Sequence, residues 1–269
     1  MTMFIQQKNL SITDVRKYKR LWSRGSYCAS YFAANIKESY AWRLKCILAY
    51  LERDIRKLGC YVPPPRMWRL LGLLAHNNGN PLNCSNIGYS LEVSHHTVRC
   101  YVNVLATVGM IRILEPWFFE HVDKRQKKTP KIYIRDSGLL HALLGIRNDD
   151  ELYVYPRLGA SWEGFALEEI IKVNHGQPEE CFFWGIQSGA ELDLLIIKDG
   201  KRIGFEVKYT DVSSFAKASK DRPKLTRSMM TALQDLQLNH LYVVYSHKIS
   251  YPLAENISVV GIEEIKAVF

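Results

Sequence analysis

Two carboxylates and a lysine are spaced to share one face of a sheet on either side of a two-residue turn. Asp199-Gly200 separates two apolar runs, residues 191–198 and 201–209, and such a dipeptide is a strong hairpin signal. With those two residues as the loop, Lys198 faces Lys201, and counting back sets Asp193 across from Glu206. Cross-strand neighbours lie about 5 Å apart at Cβ, where like charges destabilise the pair. A divalent cation removes that repulsion. Mg2+ is held by one or two carboxylates and keeps waters for substrate phosphate oxygens. Lys208, two residues after Glu206, points the same way. In a metal-dependent phosphodiester cleavage it would orient the attacking water or neutralise charge developing on the phosphate. The same register sets Lys208 against Glu191 as a plain cross-strand ion pair, and the residues alone leave both readings open.

Glu163 is the fourth member. Ala166, Leu167 and Ile170 follow it at three, four and seven residues, so it shares the inward face of its helix. A first-turn acid favoured by the helix dipole is the other explanation. Glu168, four residues before Lys172, reads as an exposed ion pair. On the hairpin, Leu192, Leu194, Ile196, Ile203, Phe205 and Val207 form the core face. Leu195, Ile197 and Gly204 accompany the charges, a mixture that suits a cleft edge.

These residues need a scaffold. The order of patterns is a helix near 159–174, strands at 181–184, 191–198 and 201–209, a helix near 223–237, and strands at 240–246 and 257–260. Helices between strands, with one hairpin, make an α/β domain with a mixed sheet over residues 149–269. The acidic stretch Asn148-Asp149-Asp150-Glu151 reads as the linker before it.

Upstream, residues 1–62 read as helices carrying Trp22, Tyr31, Phe32, Trp42, Leu44, Ile47, Leu48, Leu51 and Ile55 at helical intervals. Pro63-Pro64-Pro65 breaks any helix and marks a boundary. Residues 63–148 then read as a winged helix-turn-helix domain. Met67–Ala75 is an apolar helix, Ser85 and Ser94 cap two more, and Glu92-Val93 turns the chain between those two. The second carries Val98, Tyr101, Val102 and Leu105 inward. Strands at 110–114 and 131–135 enclose a loop with Lys124, Arg125, Lys127 and Lys128. His96, Arg99 and Asn103 lie on the face away from the apolar stripe and suit groove or phosphate contact, with the loop cations on the backbone. Winged helices also dock on proteins, and such polar stripes are often plain solvated surface. Asp136 caps the helix that Gly145 stops, and capping accounts for it.

The charge distribution favours a polyanion for the first half. Residues 1–150 hold 23 Lys/Arg against 11 Asp/Glu, a net of +12, and residues 151–269 hold 13 against 16, a net of −3. DNA is therefore the expected partner, although a difference in solubility between two domains gives the same asymmetry. In 269 residues, 47% hydrophobic and 23% charged, the composition excludes a disordered tail or a disulfide mini-protein. No apolar run reaches bilayer length and the first residues lack a secretory signal, so a cytoplasmic location and no membrane are expected. Six scattered cysteines without a CxxC pair read as free thiols. No HExxH, zinc spacing or nucleophile triad is legible.

The spacing Glu163, Asp193, Glu206-Val-Lys208 resembles the PD-(D/E)XK, or restriction-endonuclease-like, superfamily. More specific are Leu21-Trp22-Ser23-Arg24-Gly25, Glu52-Arg53-Asp54, Lys124-Arg125 with Lys128-Thr129-Pro130-Lys131-Ile132-Tyr133, Asp136-Ser137-Gly138-Leu139-Leu140, Gly159 to Gly164, and Glu191-Leu192-Asp193. In that order they resemble the C-terminal two thirds of a prokaryotic AAA+ ATPase family ending in a domain of unknown function. The resemblance implies a helical lid remnant over 1–62, a winged helix, and a restriction-endonuclease-like domain. It implies Asp193 and Glu206 as Mg2+ ligands, Lys208 as catalytic partner and Glu163 in support. The P-loop motif is absent, since Gly200-Lys201 is the only Gly-Lys and has Leu195 and Arg202 at the flanking positions. No ATP site is therefore assigned, and the chain reads as a truncated or split member. The expectation is a DNA-binding protein with a Mg2+-dependent nuclease-like domain. Its alternatives are a non-catalytic DNA-binding or protein-docking module, and a regulatory fragment acting on a separate ATPase subunit through residues 1–60. The oligomeric state is not encoded in any motif.

Overall fold

The computed structural model describes residues 10–11, 18–59, 61–118, 126–210, 224–248 and 250–269. The chain divides into two compact units, residues 1–113 with 131–165, and residues 114–130 with 166–269.

The first unit is mainly helical. It begins with α1 (Tyr18–Arg24), α2 (Cys28–Tyr31) and α3 (Ile36–Ala49), the last running through a π-helical turn at Tyr50–Asp54 into α4 (Ile55–Lys57). Of the apolar residues expected inside, Phe32 and Leu48 are exposed. The triple proline starts a helix as well as ending one. Pro63 is the N-cap and α5 (Pro64–His76) begins on the next proline, because proline lacks only an N–H that the first turn leaves unpaired anyway. After β1 (Asn80–Pro81) come α6 (Cys84–Leu91) and α7 (His95–Thr107), packed on each other. Glu92 adopts the left-handed conformation between them, and Ser94 caps α7 through the Thr97 N–H. The cap of α6 is Asn83, which accepts from the Asn86 N–H, and Ser85 lies inside the helix.

Within this unit β3 (Lys131–Ile134) pairs antiparallel with β1. Helix α8 (Ser137–Leu143) is capped by Asp136, as expected. The acidic stretch after it forms a short helix, α9 (Asp149–Tyr153), because Asn148 caps the Glu151 N–H and three acids fill the positive first turn. The core gathers Ile47, Leu51, Leu70, Leu74, Val98, Leu105, Ile132 and Leu139.

Strand β2 (Ile111–Pro116) and helix α10 (Leu158–Val173) each start in one unit and finish in the other. The second unit is built on a mixed sheet of β4 (Cys181–Gly185), β5 (Glu191–Lys198), β6 (Lys201–Lys208), β7 (His240–Tyr245), β8 (Ser250–Ala254) and β9 (Ile257–Gly261). Their order is β4-β5-β6-β7-β9-β8, with β4 to β6 an antiparallel meander and β6, β7 and β9 parallel. Glu115 and Pro116 extend it beyond β4 in parallel. Helix α11 (Arg227–Asp235) packs on one face, over Leu192, Leu195, Leu241, Val243 and Val259. Among the described residues no helix is long and apolar enough to cross a membrane, and Cys28, Cys46, Cys84, Cys100 and Cys181 are free thiols.

Candidate functional site

The hairpin turn forms as its dipeptide requires. Asp199 and Gly200 have φ of 49° and 73°, the paired positive values of a type I′ turn. The ladder runs from Lys198 opposite Lys201 to Leu194 opposite Phe205. There β5 carries an irregularity on its other edge. Phe182 of β4 faces Leu195 while Trp184 faces Leu192, so β5 spends one extra residue over that interval and bulges. Two consequences differ from simple alternation. Leu192 turns to the α11 side with Leu195 instead of joining the opposite face. Asp193, within the bulge, reaches to the neighbouring backbone, and its Oδ2 accepts the Val207 N–H at 2.8 Å.

Glu206 and Lys208 share a face with Gly204 by the two-residue period. A Cβ on Gly204 would lie 2.7 Å from Leu238 and 3.1 Å from Leu241, which identifies that face as the α11 side. Glu206 is 9% exposed, and the Lys208 ammonium donates to its Oε1 at 2.6 Å. Burial lowers the Lys208 pKa, but Glu206 and then Asp193 outweigh this and hold the ammonium above its ordinary value. Asp193, Glu206 and Lys208 thus form one electrostatic group on adjacent strands. Lys208 takes Glu206 as its partner, and Glu191 is paired with the Lys127 ammonium.

Glu163 is committed within the first unit. The Tyr133 hydroxyl donates to its Oε1 at 2.5 Å and the Lys131 ammonium lies 3.5 Å from the same atom. Glu168, expected to be exposed, is buried. It is 2% exposed, and Lys172 bonds Glu169 at 2.7 Å, three residues away. Both Glu168 and Glu169 are buried, and nothing in their local spacing announced it.

On α7, His96, Arg99 and Asn103 are exposed and Val98, Val102 and Leu105 are buried. Lys128 is exposed. Lys127 is not a free phosphate ligand, because besides its ion pair its backbone N–H donates to Gly185 O. Lys124 and Arg125 lie outside the described residues.

Sequence reasoning missed a buried polar hub in the first unit. Arg43, 1% exposed, donates to the carbonyls of Ser39, Ser23 and Gly138. Burial lowers its pKa to about 10. Asp136 accepts from the Leu139 N–H through Oδ1, and from the Ser26 N–H at 2.6 Å and hydroxyl at 2.8 Å through Oδ2. His141 and Ser161 are also buried: Ser161 Oγ lies 2.7 Å from His141 Nε2 and accepts from the Trp22 indole N–H. Helices far apart in sequence meet here, so no local spacing could reveal it.

These features define an α/β chain in which a helical unit precedes a mixed sheet bearing an acid–lysine group. The chain belongs to the family described as Domain of unknown function (DUF8612), which matches residues 15–150. Residues 158–265 match Domain of unknown function (DUF4143), a domain found in AAA-ATPase-associated proteins. Uncharacterized proteins of Mycobacterium bovis and Mycobacterium tuberculosis are each 38% identical over 263 residues, covering 97% of this chain. The chain spans 57% of the length of these relatives. No solved structure matches it.

Proposed function

We propose that the second unit is a PD-(D/E)XK-like phosphodiesterase domain and that the first unit presents it to DNA through a winged-helix-like segment around α6 and α7. The observation carrying this reading is the convergence of Asp193, Glu206 and Lys208 on adjacent strands in the middle of the mixed sheet. A nearly buried carboxylate beside a second one fits a hard divalent cation that needs one or two protein carboxylates. Among the described residues, no group of three or more His, Cys, Asp or Glu is arranged around a metal position. Asp193 and Glu206 would hold Mg2+, which when bound supplies Lewis-acid polarisation and a more acidic water. The Val207 N–H fixes the Asp193 carboxylate in orientation. Lys208 presents a fixed positive charge toward a scissile phosphate. The exposed His96, Arg99, Asn103 and Lys128 supply contacts to the nucleic-acid backbone and groove.

The test is cleavage of plasmid and single-stranded DNA in Mg2+ or Mn2+ by the chain and by its Asp193→Ala and Lys208→Ala variants. The reading expects nicking that falls by about a hundredfold or more in each variant. Equal or absent nicking in all three overturns it. Filter binding across a salt series tests the DNA contact separately: Arg99→Ala lowers the salt slope by about one phosphate contact.

A second reading, a non-catalytic docking module, is favoured by one observation. Lys208 already neutralises Glu206, and Glu163 is engaged by Tyr133 and Lys131. It expects DNA binding without turnover.

A further inference from the structure

We infer that a cleft between α5 and α6 of the first unit binds a small neutral polyol, a single sugar ring. Two helical stripes build it. Leu73, His76 and Asn77 stand at intervals of three and four residues at the C-terminal end of α5, and Asn83, Asn86 and Ile87 repeat the same intervals at the start of α6. Residues so spaced share one face of a helix, and these two faces enclose about 250 Å3. Ile87 is 7% exposed and forms the base with the part-buried Leu73, whereas His76, Asn83 and Asn86 are exposed around the rim.

The protein leaves most of the polar capacity of this rim unused. Asn83 accepts the Asn86 backbone N–H at 2.9 Å through its side-chain oxygen, so both of its amide N–H donors remain. Asn77 donates to Pro81 O at 3.1 Å and keeps its side-chain oxygen as an acceptor. Among the described residues the Asn86 carboxamide and the His76 ring make no hydrogen bond within the chain. Donors and acceptors therefore stand together around one cleft. A hydroxyl both donates and accepts, and two hydroxyls on neighbouring carbons match the donor and the acceptor of one carboxamide.

The lining narrows the class of ligand. Among the described residues no Lys, Arg, Asp or Glu lines the cleft, and no Phe, Tyr or Trp. A phosphate or carboxylate would lose water there without gaining an opposite charge, and a nucleobase would find no ring to stack on. The volume lies below the roughly 300–1,000 Å3 of clefts that take drug-sized ligands, which limits the occupant to one small ring. A sugar fits on each count, because it is neutral, its C–H face packs on Leu73 and Ile87, and its hydroxyls reach the carboxamides. The site uses none of the residues assigned above to DNA or to phosphodiester chemistry, so it stands independently of that reading.

The experiment is isothermal titration of the full chain with glucose, galactose and ribose, each separately at millimolar concentration, alongside adenosine and inorganic phosphate. At least one sugar is expected to bind saturably to the parent, and adenosine and phosphate to give no binding heat. The Asn86 side chain has no hydrogen bond to lose in the fold, so Asn86→Ala keeps the melting midpoint and weakens the sugar by about tenfold, the effect of one or two hydrogen bonds. His76→Ala weakens it by a smaller factor, and decides if Asn86→Ala shifts the melting midpoint. Absence of saturable binding of all three sugars by the parent overturns the site, as does unchanged affinity in both folded variants. Binding of adenosine or phosphate in place of a sugar, lost in the same variants, overturns the assigned class.

Discussion

In the first unit Arg43 is 1% exposed and its guanidinium is spent on three backbone carbonyls. In the second, Lys208 keeps 43% of its side chain in solvent while it reaches a nearly buried Glu206. Both are cations next to motif residues, yet they do different work. Arg43 ties α1, α3 and α8 together where no water can replace it. Lys208 sits at a sheet surface where an incoming ligand could compete for Glu206. Thus Ser23, Asp136 and Gly138, which the sequence resemblance draws together with the hairpin acids, hold a fold, whereas Asp193, Glu206 and Lys208 are the residues that the proposed function assigns to chemistry.

That contrast can be broken by measurement. Arg43→Ala leaves three carbonyls without their donor and opens a cavity, and the expected loss is about 3–5 kcal/mol in urea unfolding of the full chain. A loss below about 1 kcal/mol would remove the hub from the account. Gly138→Ala is the next largest. Its Cβ would fall 2.2 Å from Arg24 O, and relieving such a clash with backbone costs about 1–3 kcal/mol, seen as a lower denaturation midpoint.

His141 adds a pH signature to the first unit. Burial lowers its pKa from 6.5 to about 3, a change that the Ser23 carbonyl opposes and Arg43 reinforces. The folded state therefore binds this proton less readily than the unfolded chain. Stability from this source is complete above pH 6.5 and declines as pH falls from there toward 3, by at most about 1.4 kcal/mol per pH unit. Unfolding midpoints between pH 7 and 5 should show this slope, and His141→Gln should flatten it. The smallest effect belongs to the second unit. Lys208→Ala should alter stability by about 1 kcal/mol or less, because the pair is part exposed. A larger loss would make the hairpin group structural, like the hub.

The hairpin was the most legible part of the sequence because its information is local. Asp199 and Gly200 take the positive φ values that set the register, and the ladder follows it from Lys198 opposite Lys201 to Leu194 opposite Phe205, beyond which Asp193 accepts from the Val207 N–H. What escaped depended on distant partners. The β5 bulge is a mismatch with β4, so Leu192 changed faces without any sign in its own strand. Lys127 gave up its role as a free cation to Glu191, 64 residues away. Glu163 found Tyr133, and the Arg43 hub joins residues from positions 23 to 138. The caps show the same boundary at short range. Ser94 and Asp136 followed from composition, whereas Asn83 displaced Ser85 because either residue could start the helix.

The most direct test of the central claim is calorimetric titration of Mn2+ into the full chain and into Glu206→Gln. The account predicts that the parent binds a divalent ion and that the variant, with an unchanged unfolding midpoint, loses that binding. Equal binding by both proteins, or no binding by the parent, would contradict it.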